Sequence, residues 1–170
     1  MSPIRVAVLT VSDRSFRGER EDRGGPAVVQ ALHRLLGGLE IVETRIVPDE
    51  EDDIAWNLRR LAETDAADLV VTTGGTGLSP RDVTPQATLS VIDYQVPGLA
   101  EAMRAETRVT VATAVLARQV AGVRERTLIV NLPGSPRGAV ECLAAIAPVL
   151  GHAVASLRGE ALHPPSGETA

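Results

Sequence analysis

The stretch Asp68-Leu69-Val70-Val71-Thr72-Thr73-Gly74-Gly75-Thr76-Gly77 is a short apolar strand that stops on glycines, and its flanks decide the fold class. Before it, Ile54, Leu58, Leu61 and Ala62 recur at helical spacing. After it, Thr84-Pro85 pairs a capping hydroxyl with a first-turn proline, a helix start predicted to run to about Asp93 before Pro97-Gly98 breaks it. Further out, Ile4 to Val11 is rich in Val, Ile and Leu without clean alternation, as in a strand covered on both faces. Val28, Leu32, Leu35 and Leu36 mark a helix between Pro26 and Gly37-Gly38, and Ile41 to Val47 forms the second strand. Towards the carboxyl end, helices are expected at Leu99 to about Glu106 and Val111 to about Gln119, then a strand from Thr127 to Asn131. Leu132-Pro133-Gly134-Ser135-Pro136 closes that strand and opens a last helix with Leu143, Ile146, Leu150, Val154 and Leu157 on its inner face. Strands alternating with helices predict a three-layer αβα sandwich around a mostly parallel sheet, because parallel neighbours need crossover helices.

A chain of 170 residues buries roughly two thirds of its unfolded surface in one core, so a single domain is expected over residues 1–160, with a polar, proline-containing flexible tail at 161–170. No apolar run reaches the ~18 residues of a membrane span and no basic leader precedes Ile4, so a cytoplasmic protein without a membrane partner is expected. There is no lysine: all 17 basic residues are arginine, which removes the Walker phosphate loop and Schiff-base chemistry. One cysteine, Cys142, and the scattered His33, His152 and His163 leave no local zinc motif, so any metal should be hard and oxygen-ligated. A net charge of −5 and only one Trp, one Tyr and one Phe argue against nucleic acid. Trp56 and Cys142 are expected to pack on their helices.

Ligands of such sheets sit at the carboxyl ends of the strands. Those ends carry Ser12-Asp13, Pro48-Asp49-Glu50, Thr73 to Gly77, and Leu132 to Ser135. Gly74, Gly75, Thr76 and Gly77 suit an anion, since glycines let consecutive N–H groups converge; a plain turn needing positive φ is the alternative. Asp82 is left without a capping role if Thr84 caps the next helix, whereas Asp49 would serve either as a cap or as a ligand. Two carboxylates beside a phosphate loop point to a shared Mg²⁺ on Asp49 and Asp82, completed by substrate phosphates. Ser135 before Pro136 sets a capped helix start at the same edge, and Ser12-Asp13 caps a short turn there. The segment Arg14 to Gly25, with four arginines ahead of its glycine pair, is expected to be a mobile loop, either a lid over an anion or simply solvated.

Taken together, Thr10-Val11-Ser12-Asp13, Val47-Pro48-Asp49-Glu50, the run Thr72 to Pro85, Pro97-Gly98 and Leu132-Pro133-Gly134-Ser135 resemble the MogA/MoaB family of molybdenum-cofactor biosynthesis proteins, and also the gephyrin N-terminal domain, from about Ile4 to Leu157. The resemblance implies the molybdenum cofactor biosynthesis protein fold, a homotrimer, and adenylation of molybdopterin by Mg-ATP with release of pyrophosphate. It also implies a molybdenum-insertion enzyme as a possible partner. It places the catalytic and metal-binding carboxylates on Asp49 and Asp82, the phosphate loop on Gly74, Gly75, Thr76 and Gly77, and a substrate pocket on Ser12, Asp13, Gly134 and Ser135. Many relatives carry serine where this chain has Ala117, a departure that keeps open a non-catalytic molybdopterin carrier as the alternative.

Overall fold

The protein is described here by a computed structural model covering residues 2–160; the expected tail at 161–170 lies outside the described residues. Six strands form one sheet in the order β2-β1-β3-β6-β5-β4: β1 (Ile4–Val11), β2 (Leu39–Val47), β3 (Leu69–Thr73), β4 (Tyr94–Gln95), β5 (Ala121–Arg124) and β6 (Thr127–Leu132). The first four strands in that order run parallel, and β5 and β4 complete the sheet antiparallel.

The helices are α1 (Asp13–Phe16), α2 (Gly24–Leu35), α3 (Glu51–Glu63), α4 (Thr84–Leu89), α5 (Pro97–Thr107) and α6 (Pro136–Arg158). Successive residues of a strand face opposite sides, and the central strands feed two cores in this way. Val6 and Val8 of β1 and Leu69 and Val71 of β3 pack with α2, α5 and α6. Ala7, Leu9 and Val11 of β1 and Val70 of β3 pack with α3 and α4. A strand covered on both faces has no polar side to show, which is why β1 and β3 do not alternate in sequence.

Tertiary context overrides local pattern at four places. Val120 to Arg126 contains a strand, β5, which pairs with β6 through a turn at Glu125, a residue held at φ 53°. The helix expected over Val111 to Gln119 shrinks to a 3-10 turn at Ala112–Leu116 with no buried residue: β-branched Val111, Thr113 and Val115 lower helix propensity, and no apolar stripe anchors the segment. Trp56 does not pack inside; it is 58% exposed with the Arg60 guanidinium over its ring at 5.5 Å. Helix α6, finally, is long and apolar enough to cross a membrane, with a mean hydropathy of 1.7, yet Leu143, Ile146, Leu150 and Val154 bury its inner face in the core.

Candidate functional site

At the carboxyl ends of β1, β3 and β6 lies a cavity of about 420 Å³ lined by Ser12, Asp49, Gly74, Gly75, Asp82, Gly134 and Ser135. Asp49 and Asp82, 33 positions apart in the chain, therefore open into one space. Thr76 and Gly77 line an adjoining open cavity of about 480 Å³, which shares Gly75, Asp82 and Gly134 with the first and is also lined by Thr113, Leu116 and Ala117.

The glycine loop is built by close approach. Gly74 has φ 111° and Gly75 φ 65°, and a Cβ would run into the Val11 carbonyl at the first and the Thr84 hydroxyl at the second. The Gly74 N–H is used by the Leu132 carbonyl (3.1 Å), extending the β3–β6 ladder, so it is not one of the anion donors. The N–H groups of Gly75, Thr76 and Gly77 find no acceptor among the described residues. Across the cavity, Ser135 caps α6 by accepting from the Gly138 N–H (3.2 Å), and Thr73 Oγ1 donates to the Pro133 carbonyl (2.8 Å), which fixes that loop to β3. A 23-residue helix thus starts at the cavity wall, with its partial positive end facing inward.

Asp49 is not the cap of α3; Glu50 holds that position, and makes no side-chain cap bond. Instead Asp49 and Asp13 clasp each other: the Asp13 N–H donates to Asp49 Oδ2 (2.7 Å) and the Asp49 N–H donates to Asp13 Oδ1 (3.0 Å). Asp13 follows the Ser12 cap of α1 and takes Arg81 Nη2 on its other oxygen (2.7 Å). Its carboxylate is thus engaged and lies outside the lining, holding Asp49 in place rather than facing the cavity. Burial pushes the Asp49 carboxyl above its ordinary range; the Asp13 N–H counteracts, while the charges of Asp13 and Asp82 push further up and Arg81 opposes them.

Asp82 differs from expectation in having a local role. Its Oδ2 accepts the Ser79 N–H (2.9 Å), closing a turn. Thr84 in turn is the first residue of α4 rather than its cap, and its hydroxyl donates to the Gly74 carbonyl (2.9 Å). Oδ1 of Asp49 and Oδ1 of Asp82 nevertheless receive no donor among the described residues.

Asp22, overlooked in the sequence, also lines the cavity. It accepts from Thr10 Oγ1 (2.7 Å) and the Gly25 N–H (3.0 Å), so both its oxygens are engaged. An Asp three residues before an amide at a helix start was the available signal. The loop Arg14 to Gly25 is consequently shorter than its polarity implied: α1 takes its start, Gly24 and Gly25 belong to α2, and Asp22 ties down the remainder.

Residues 7–152 match the family described as "Probable molybdopterin binding domain". The chain is 43% identical over 160 residues, 94% of its length and 90% of the relative's, to a protein of Helicobacter pylori named molybdopterin adenylyltransferase. It is 41% identical to the Escherichia coli protein of the same name, covering 91% of this chain and 79% of that one. Among solved structures, the molybdopterin biosynthesis enzyme MoaB of Thermus thermophilus superposes with a TM-score of 0.85 at 50% identity, over 92% of this chain and 97% of that one. A structure of MogA superposes at 0.83 and 39% identity, over 90% and 99%.

Proposed function

This chain belongs to the molybdopterin-binding domain family, and from that premise we propose how its rim works as a molybdopterin adenylyltransferase of molybdenum cofactor biosynthesis. The observation that carries the reading is the convergence of Asp49, Asp82 and the Gly74-Gly75 turn on one cavity beside the capped start of α6.

ATP is the adenylyl donor. An oxygen of the terminal phosphate of molybdopterin attacks the α-phosphorus; the new P–O–P bond forms as the bond from that phosphorus to the β-phosphate oxygen breaks, and pyrophosphate leaves with the electron pair. The attacking oxygen is already anionic, so no strong general base is required and catalysis rests on positioning and charge. The amides of Gly75, Thr76 and Gly77, which have no acceptor among the described residues, and the α6 terminus would take phosphate oxygens.

The residues fit a hard divalent cation. No cluster of three His, Cys, Asp or Glu occurs among the described residues, but Mg²⁺ characteristically takes one or two carboxylates and leaves the rest of its shell to water and phosphate. Oδ1 of Asp49 and Oδ1 of Asp82 would hold it, and such an ion would offset the cost that burial puts on a charged Asp49. When bound, Mg²⁺ supplies charge neutralisation to the phosphates. Asp13 keeps Asp49 aimed, and Arg81 links the Asp82 turn to that pair.

The homotrimer is proposed on the family resemblance; the apolar side chains left exposed around the 3-10 turn, Val109 at 80% and Val115 at 57%, fit a self-associating face of any copy number, and sedimentation counts the copies. A cytoplasmic location is part of the proposal, and the adenylated product would pass to a molybdenum-insertion enzyme. The deciding experiment incubates the protein with molybdopterin, ATP and Mg²⁺. One pyrophosphate released per adenylated pterin is expected; pterin bound tightly with no pyrophosphate released would replace the transferase with a carrier.

A further inference from the structure

Arg118 follows the 3-10 turn by two residues and is half-buried behind the glycine loop. Its backbone N–H donates to the Thr76 carbonyl (2.9 Å), Nε to the Gly77 carbonyl (2.8 Å), Nη2 to the Asp82 carbonyl (2.6 Å) and Nη1 to Gln86 Oε1 (3.2 Å). One residue thereby grips both ends of the segment 76–82 and reaches the first turns of α4. No carboxylate among the described residues pairs with it. The segment has little support of its own: residues 78–81 are exposed, Leu78 at 65%, and the turn is closed by Asp82 N–H to the Ser79 carbonyl and by the Asp82 carboxylate on the Ser79 N–H.

We propose that Arg118 is a positioning residue for the adenylyl transfer. Its planar fork holds the Gly77 and Asp82 carbonyls together, so that the amides of Gly75 to Gly77 and the Asp82 carboxylate face the cavities before substrate arrives. Its unmatched charge adds a favourable potential for an anionic substrate. A lysine would keep the charge but not the fork, because an ammonium cannot present parallel N–H groups in one plane. The inference rests on the transferase reading, deepens it, and is separable from it.

The test compares wild type with Arg118→Gln and Arg118→Lys by steady-state kinetics and by hydrogen exchange. In Arg118→Gln, kcat should fall by about 30-fold or more while KM for molybdopterin changes less than about threefold, the signature of lost transition-state organisation. Arg118→Lys should remain at least about tenfold down in kcat. In both variants amide exchange should accelerate about tenfold or more across residues 77–83 and stay unchanged in β1, β3 and β6, as for a local opening. Full activity in Arg118→Lys, kcat of Arg118→Gln within about twofold of wild type, exchange unaltered at 77–83, or exchange faster everywhere would each overturn the proposal. If wild type itself releases no pyrophosphate, the transferase reading fails, and the exchange measurement still decides whether Arg118 holds the loop.

Discussion

Each rim of the sheet carries an aspartate in a restricted environment, and the two are treated in opposite ways. At the amino-terminal rim Asp68, 4% exposed, accepts from the Arg5 N–H (2.8 Å), Arg5 Nη2 (2.8 Å) and Arg158 Nη2 (2.7 Å). Burial would raise its carboxyl, but the hydrogen bonds from Arg5 and Arg158 outweigh it and hold the group well below the usual carboxylate range. At the carboxyl-terminal rim burial wins: Asp49 is pushed up, with the charges of Asp13 and Asp82 adding to it, while Arg81, which opposes the rise, is occupied by Asp13 and Glu50 (2.8 Å). A carboxylate satisfied by two cations ties β3 to the ends of β1 and α6. One left with an open oxygen beside another carboxylate lacks such a partner, and the cation proposed above would complete it.

Substitutions at the two rims should separate activity from stability. The largest effect expected is on turnover: Asp49→Asn and Asp82→Asn should each slow pyrophosphate release by about a hundred- to a thousand-fold. Asp49→Asn should also melt about one or two degrees higher than wild type at pH 7, since it removes a charge the fold disfavours. A normal rate in either variant would break the contrast between the rims. Asp68→Ala should do the reverse, costing about 3–5 kcal/mol in denaturant unfolding, because Arg5 and Arg158 lose their shared partner, while kcat per folded molecule is unchanged.

Smaller, and sharper, is the dependence on pH. For Asp68 the folded value is depressed, so its stabilisation is present above the unfolded carboxylate range and lost as pH falls into and below it. For Asp49 the folded value is raised, so its contribution to stability is present below the ordinary range and lost as pH rises through the raised value. Lowering the pH from neutrality should therefore weaken divalent-ion binding and activity, by protonating Asp49, before the Asp68 contribution begins to fail. A pH–rate profile set against denaturant melts checks this order, and saturating Mg²⁺ should shift the activity limb to lower pH.

Much of the rim was legible because its signals are short-range. Gly74 and Gly75 stand where only glycine escapes the Val11 carbonyl and the Thr84 hydroxyl; Ser12 and Ser135 sit where capping chemistry places them. The roles of Asp13 and Asp82 were harder to read. Asp13 looked like a pocket residue but is engaged 36 positions away, and Asp82 looked free although its own turn claims one oxygen. Asp22 was hidden in a segment whose polarity resembles that of any solvated loop.

From its amino acids alone, this chain declared its layered architecture and the strand ends at which Asp49, Asp82 and the glycine turn lie. Those features rest on periodicity and glycine punctuation, which act within a few residues. Only the tertiary structure decided that β4 and β5 close the sheet, that Asp13 orients Asp49, and that Arg81 and Arg118 brace the loop carrying Asp82. Whether a charged group is satisfied depends on which distant segments fold against it, and no local pattern records that.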